Sequence, residues 1–350
     1  MPKENCLRRS SFHGSDTFVY IGEIDRIVAF LNMKKQFNYD HAMKVIWNAL
    51  PRKAWEEFHA KHGGSLQQSW AYGEAMGAMG VQTNRGAVME GKKVLALAQF
   101  IGRRYLHYIS LASCTRGPVW SPELDAPAQN RIYKELKKTI PTRMFRVSLF
   151  SPDVQLGQLV PASLKGMHRV MTGYSTVVLD LAQDEKSLRE GLHSKWRNQA
   201  LRQLRGPSLD IQFKSNMRDC RFLLERELAQ RATRNFHGLP TDFVPAFIDG
   251  HARPEQGYFV ATAQHEGRVI AAMLFLLHGL GATYHMGWSD DEGRKLSAHN
   301  VMLWQAMLHL KKQGIARLDL GGINTHDLPG ISRFKLATGG QVLTLAGTYF

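Results

Sequence analysis

From about residue 47 the chain switches repeatedly between two periods, and each switch marks an element. RKAWEEFHAKHG is amphipathic at helical spacing and stops at Gly63–Gly64. SLQQSWAYGEAMGAMG follows as a second helix. RGAVMEG, KKVLALAQFIG and YLHYISLASC alternate or run apolar over strand lengths, as an antiparallel meander does. RGPVW predicts a turn, AQNRIYKELKKTIP a helix ended by Pro141, and FRVSLFSP a strand. A similar order then recurs. STVVLDLA is a strand, DEKSLREGLHSKWRNQALRQLRG a helix or helix pair, DIQFK a strand and RDCRFLLERELAQRATRNF a helix. YFVATAQHEG, RVIAAMLFLLHG and ATYHMGWS form three strands. The helix SAHNVMLWQAMLHLKKQG, the strand IARLDLGG and closing strands complete the chain.

Strand, helix, meander, helix, strand is an α/β order with mixed, largely antiparallel sheets, and it occurs twice. The repetition is one of element order, not of residue identity. It divides the chain into a first unit at 46–165 and a second at 166–350, with a C-terminal strand free to return to the first sheet. Residues 1–45 read differently: a polar start and one apolar segment, FVYIGEIDRIVAFL. They are set apart as an extension, disordered or non-native, with Met33 or Met43 as an alternative translation start.

Charge changes this picture more than composition does. Of 350 residues 44% are hydrophobic, enough for two cores, but the net charge is +15. Such an excess points to polyanionic partners: nucleic acid, anionic lipid or phosphorylated substrates. Cys6, Cys114 and Cys220 are too far apart for a disulfide framework or metal spacing, which fits a reducing cytoplasm. The longest apolar run, from Val269 to Trp288, is interrupted by His278, Gly279 and Gly281. It predicts two buried strands joined at HGLG, not a membrane span. The 15 histidines show no HExxH-type spacing, so no metal is expected, and there is no GxSxG nucleophile motif.

The most specific chemistry lies at the C-terminus. An apolar strand runs into Gly321–Gly322, and Phe334–Lys335 stands just before a second pair, Gly339–Gly340. Paired glycines allow positive φ and close approach of backbone to a ligand. A lysine beside such a turn can meet negative charge that grows during a reaction. Upstream, Lys195, Arg197, Arg202 and Arg205 fall on one helix with Trp196 and Asn198. Part of that set shares a face and suits phosphates through charge alone. Asp290 and Asp291 read as turn or helix caps, with orientation of an acceptor amine as the alternative. Met302, Trp304, Met307 and Leu308 read as helix core.

In order and spacing, LQQSWAYGEAM, RGPVW, the stretch from Ser175 to Gly206, the stretch from Tyr284 to Asn324, and GISRFKLATGGQVLTLAGTYF resemble the FemAB family over residues 47–350. That resemblance implies two acetyltransferase-like (GNAT) domains. It implies transfer of an aminoacyl group from charged tRNA to an amine, a peptidoglycan precursor in the best-known cases, with peripheral membrane contact and no cofactor. It places Phe334 and Lys335 at the acyl-transfer centre and an arginine, Arg234 better than Arg231, near the acceptor. Lys195, Arg197, Asn198, Arg202, Gly339 and Gly340 are the accompanying binding candidates. The chain departs from the family where relatives carry a lysine after the helix tryptophan, here Glu74, and an aspartate after RGPV, here Trp120–Glu123. Both departures weigh on the acceptor, not the fold. An acyl-CoA-dependent GNAT enzyme and a non-catalytic RNA-binding or envelope scaffold are the competing readings. Against the first, DEGRKLSAHN keeps only Gly293 of a pyrophosphate-binding glycine loop.

Overall fold

The computed structural model describes residues 43–105, 109–141, 145–203, 209–234, 239–324 and 329–350. The N-terminal extension expected at 1–45 therefore lies almost wholly outside the described residues, as do the side chains of Arg202, Arg205 and Arg234. Strands β1 (Met43–Trp47), β2 (Gln82–Glu90), β3 (Lys93–Tyr105), β4 (Ile109–Thr115), β5 (Val119–Trp120) and β6 (Phe145–Ser151) build the first sheet. Its helices are α1 (Arg52–Lys61), α2 (Trp70–Ala78) and α3 (Ala126–Thr139). The second half contributes β7 (Arg169–Met171), β8 (Ser175–Asp180), α4 (Glu185–Gly191), α5 (Ser194–Gln203), β9 (Asp210–Lys214) and α6 (Met217–Arg234). Then come α7 (Phe243–Asp249), β10 (Tyr258–His265), β11 (Arg268–His278), β12 (Gly281–Ser289), α8 (Asp291–Lys295) and α9 (Ala298–Lys312). The chain ends with β13 (Arg317–Gly322), α10 (Pro329–Leu336), β14 (Gln341–Thr344) and β15 (Thr348–Tyr349).

The recurring order is visible in the sheets. The first runs β1-β2-β3-β4-β6-β15-β7 and the second β14-β8-β13-β12-β11-β10-β9. In each an antiparallel meander is followed by a parallel partner reached across helix: β4 with β6, and β12 with β13. The C-terminal strand β15 does return to the first sheet, between β6 and β7. The apolar run from Val269 forms β11 and β12, as its interrupting glycines indicate. No helix among the described residues is long and apolar enough to cross a membrane.

Local chemistry explains the boundaries. Asp125 accepts from Ala128 N at 2.8 Å and Pro127 occupies the first turn, so α3 starts there. Asp184 caps α4 in the same way, accepting from Ser187 N. Two helices were not legible. Phe243–Asp249 is short and contains Pro245, which the first turn tolerates because its missing N–H has no intrahelical partner there. The segment bearing Phe334 and Lys335, set between glycine pairs with no helix expected, is the eight-residue helix α10 opened by Pro329.

Two cores flank the second sheet. One packs α9, through Met302, Trp304 and Met307, on Phe275 and Leu318. This is the core role expected of those residues. The other joins the halves: Ala71, Ala75 and Met76 of α2 pack with Phe243, Val244 and Phe247 of α7. A third core, around Phe100, Cys114 and Phe150, fills the first unit.

Candidate functional site

The site begins where two parallel strands separate. β12 and β13 are paired only at Gly281–Arg317, Ala282–Leu318 and Thr283–Asp319. Asp319 stands at the fork and is held by partners from both halves. It pairs with the guanidinium of Arg116, which follows β4, and accepts from Thr176 Oγ1 of β8 at 2.6 Å. Its Oδ1 also accepts from Gly321 N at 2.8 Å. Gly321 has φ +77, and the pairing of β13 with β8 shifts register between Asp319 and Gly322. The carboxylate thus turns its own strand away from β12. Burial works against the charge of Arg116, but Asp153 at 2.7 Å and Asp319 outweigh it and raise its pKa. Burial likewise opposes the Asp319 carboxylate, and Arg116 with the hydrogen bonds holds its pKa below the usual range.

Beyond the fork lies a cavity of about 500 Å³. Tyr284, His285, Met286 and Gly287 of β12 form one wall and Leu320 to Asn324 the other. Glu227, Gln230 and Arg231 of α6 and Ile331, Ser332 and Lys335 of α10 close it. Lys335 is 8% exposed, and its Nζ donates to Gly322 O at 2.8 Å. Loss of hydration lowers its pKa to about 8, and Asp319 partly restores it. An ammonium has three N–H donors, and among the described residues only Gly322 O engages one, so two remain for a guest. A Cβ on Gly321 would stand 3.5 Å from that Nζ and 3.8 Å from Tyr284 O. The glycine turn beside the lysine is therefore Gly321–Gly322, not the Gly339–Gly340 pair that sequence proximity suggested. Gly339 has φ +76 and a Cβ there would strike Gly191 O, while one on Gly340 would meet Val177 and Val178. That second pair packs the end of α10 onto α4 and β8.

Phe334 faces away from the cavity. Its ring lies 5.9 Å from Trp196 of α5 and 6.1 Å from His299 of α9. The same junction is fixed by His193 N donating to Ala337 O at 3.0 Å. Phe334 thus locks α10, and with it Lys335, against α5. On α5, Lys195 and Asn198 are exposed and Arg197 is half-buried, beside the helix that carries Lys335. Arg231 is the described arginine on the cavity wall, and the side chain of Arg234 lies outside the described residues. Arg231 pairs with Glu227 at 3.3 Å and donates to Leu239 O at 2.6 Å.

Other candidates resolve simply. Asp290 caps α8, accepting from Gly293 N at 2.8 Å, and pairs with Arg268 at 2.6 Å. Where the chain departs from the family, Glu74 is paired with Arg85 at 2.7 Å and Glu123 with Lys93 at 2.5 Å. A smaller cavity of about 190 Å³ lies on the other side of the fork, lined by Arg116, His278, Asp319 and the Gly63–Ser65 turn. His278 is neutral there, its pKa lowered to about 3 by burial and by His59 and Arg116. Among the described residues no group of three or more side chains is placed to hold a metal ion. Sequence reasoning passed over His285, Glu227 and the Arg116–Asp319 pair. Each is a single polar residue in an apolar or helical run, and only the fork gives it a role.

Residues 189–336 match the family model of the acetyltransferase (GNAT) domain. Among solved structures, FemX superposes with a TM-score of 0.75 at 15% identity, over 87% of this chain and 96% of that one. L-PGS from Bacillus licheniformis gives 0.51 at 11% identity, over 85% and 91% of the two chains. The C-terminal domain (DUF2156) of a putative lysylphosphatidylglycerol synthetase from Agrobacterium fabrum gives 0.50 at 14%, over 85% and 91%. No curated protein matches the chain in sequence. The resemblance to the FemAB family holds at the level of fold: two GNAT-like units, the second carrying an acyltransferase domain.

Proposed function

We propose that the protein is an aminoacyltransferase moving an aminoacyl group from charged tRNA to an acceptor amine, with the cavity beyond the fork as the transfer centre. The observation that carries this reading is the Lys335 ammonium, desolvated, held by one carbonyl and facing a cavity large enough for an aminoacyl ester. Its lowered pKa still leaves it mostly protonated at neutral pH.

In aminolysis the amine nitrogen attacks the ester carbonyl carbon, and a C–N bond forms. The carbonyl π electrons move onto oxygen, and the two free N–H donors of Lys335 stabilise that oxyanion. Collapse breaks the C–O bond to the ribose oxygen. Phe334 holds Lys335 in place and does not touch substrate. Lys195, Arg197 and Asn198, with Arg202 from the same helix, form the flank along which tRNA phosphates would run. Gly339 and Gly340 support α10 from behind. The division into units near residue 165, no cofactor, and a cytoplasmic setting belong to this reading.

The acceptor is an amine; the resemblance to the FemAB family makes a peptidoglycan precursor the first to test, and the putative lysylphosphatidylglycerol synthetase among the structural neighbours makes another envelope molecule the second. At the two departures Glu74 and Glu123 bring carboxylates held in ion pairs, which weighs against a nucleotide-linked precursor. Against an acyl-CoA donor stands the packing of Gly293. A Cβ there would meet Ile270 O at 2.5 Å and Ser289 Oγ at 2.6 Å, so that glycine serves β11 and not a pyrophosphate. The test offers purified protein tRNA charged with labelled amino acids, or labelled acyl-CoAs, beside envelope precursors and small amines. Label passing from tRNA to an amine is expected. Label passing only from acyl-CoA would overturn the donor.

A further inference from the structure

We propose that His285 is the proton acceptor for the attacking amine, an inference that rests on the transfer reading above and supplies the base that reading lacks. The first observation is a β-bulge. Along the β11–β12 ladder, Leu274 faces Met286 and Phe275 faces Tyr284, so His285 has no partner on β11. In a regular strand residues 284 and 286 share a face. Here Tyr284 packs on the core of α9 while Met286 belongs to the core of α7, on opposite sides of the sheet. The extra residue between them is re-aimed, as bulges commonly do beside active sites.

The bulge lies just past Thr283, the last β12 residue paired with β13. His285 is therefore presented to the cavity wall facing the Gly321 turn, and Lys335 lines the same cavity. Tyr284 O, one peptide away, is 3.8 Å from where a Gly321 Cβ would stand, and the Lys335 Nζ is 3.5 Å from the same point. The imidazole leans on Phe243 at 5.7 Å. Among the described residues neither of its ring nitrogens has a hydrogen-bond partner. The ring is half-buried at the cavity wall, so its nitrogens are left to a guest or to water.

The charged groups around it set its state. Glu227 and Arg231 face the cavity from α6 and Lys335 from α10. Burial, and then Arg231, lowers the pKa of His285 to about 4, so the ring is neutral at physiological pH. Burial lowers that of Lys335 only to about 8. One wall thus offers a cation for the oxyanion and the other a neutral base, a division of labour between two titratable groups in one site.

The proton balance closes. The amine enters neutral, attack makes its nitrogen cationic, and a ring nitrogen of His285 takes one N–H proton. The imidazolium then returns that proton to the ribose oxygen as the C–O bond breaks. A positioned base is most effective with a pKa near the working pH, so a ring held near 4 belongs at the low end of the usual range, about 10²-fold in rate.

The test measures single-turnover transfer by wild type, His285→Gln and His285→Ala, with an ordinary alkylamine and with hydroxylamine, and with imidazole added to the alanine variant. Hydroxylamine, whose adduct loses its proton more readily, depends less on a base. The expected result is a loss of about 10²-fold with the alkylamine, a clearly smaller loss with hydroxylamine, and partial recovery of His285→Ala by imidazole. Equal losses with both acceptors and no rescue would make His285 structural and overturn the proposal. Unchanged rates in both variants would overturn it equally, while leaving the aminoacyltransferase reading intact. No transfer by wild type from any charged tRNA to either acceptor would instead remove that reading, and the role of His285 with it.

Discussion

The two halves use the same strand order and differ at one place. In the first unit the parallel pair β4–β6 stays in register from Ile109–Phe145 to Thr115–Ser151. In the second, β12–β13 parts after Thr283–Asp319. Around the closed pair sit Ala112, Cys114 and Phe150, where burial drives the Cys114 thiol well above its ordinary range against a single opposing contact from the Gln68 amide. Around the open pair sit Lys335, His285, Glu227 and Arg231. A cavity is made here by unzipping one pair of strands, and the residue at the fork, Asp319, is tied to the unit that stays closed. Two buried cations express the contrast. Arg116 is matched by two carboxylates and is structural. Lys335 is matched by one carbonyl and is available.

The sharpest way to break that comparison is to remove the tie. Arg116→Ala leaves Asp319 buried without its paired cation, and Asp153 with only Arg317 at 3.7 Å, and should cost about 3–5 kcal/mol of stability, read from urea midpoints. Lys335→Met should do the reverse at neutral pH. It removes a charge whose burial is unfavourable, and stability should stay level or rise by up to ~3 kcal/mol. Equal destabilisation by both substitutions would mean the two cations are not different in kind.

Linkage sharpens the same point. The Lys335 pKa is lower in the folded state than unfolded, so the unfolded chain binds more protons between pH 8 and the ordinary lysine range. Its unfavourable contribution is full below about pH 8 and is relieved as pH rises to the unfolded value. Wild type should gain stability relative to Lys335→Met across that window, measured by denaturation at stepped pH. Asp319→Asn removes the carboxylate that favours the Lys335 charge, so the alkaline limb of transfer should move to lower pH. A limb that stays in place would detach Asp319 from Lys335.

Smaller effects should separate the two glycine pairs. Gly339→Ala combines a positive φ with a collision at Gly191 O and should lower stability by more than ~1 kcal/mol. Gly321→Ala meets only ordinary contacts, so its stability loss should be about 1 kcal/mol. Its larger effect should be on the transfer rate, because the new methyl stands beside Lys335. A reversed ranking in the transfer assay would return the functional turn to Gly339–Gly340.

Most of this fold was legible because its elements announce themselves: alternating strands, amphipathic helices, and glycines at Gly63, Gly279 and Gly314 where turns were expected. Lys335 was legible as a residue but not in its setting. Twelve residues separate it from Gly322 and only three from Gly339, yet the fold brings Gly322 to its amine. Phe334 looked like a contact for substrate because aromatic side chains serve cores and sites alike, and only the Trp196 and His299 rings decide between them. His285 was hidden for a different reason. A bulge is a property of two strands together, and nothing in YHMGW alone shows which residue β11 will skip.

The account stands on Lys335 acting as a desolvated cation in the transfer step. The measurement that tests it most directly is the single-turnover rate of aminoacyl transfer from charged tRNA by wild type and Lys335→Met, with folding of both confirmed by circular dichroism. A fall of about 10²–10³-fold in a folded variant is the predicted result. A folded Lys335→Met protein that transfers at the wild-type rate would contradict it.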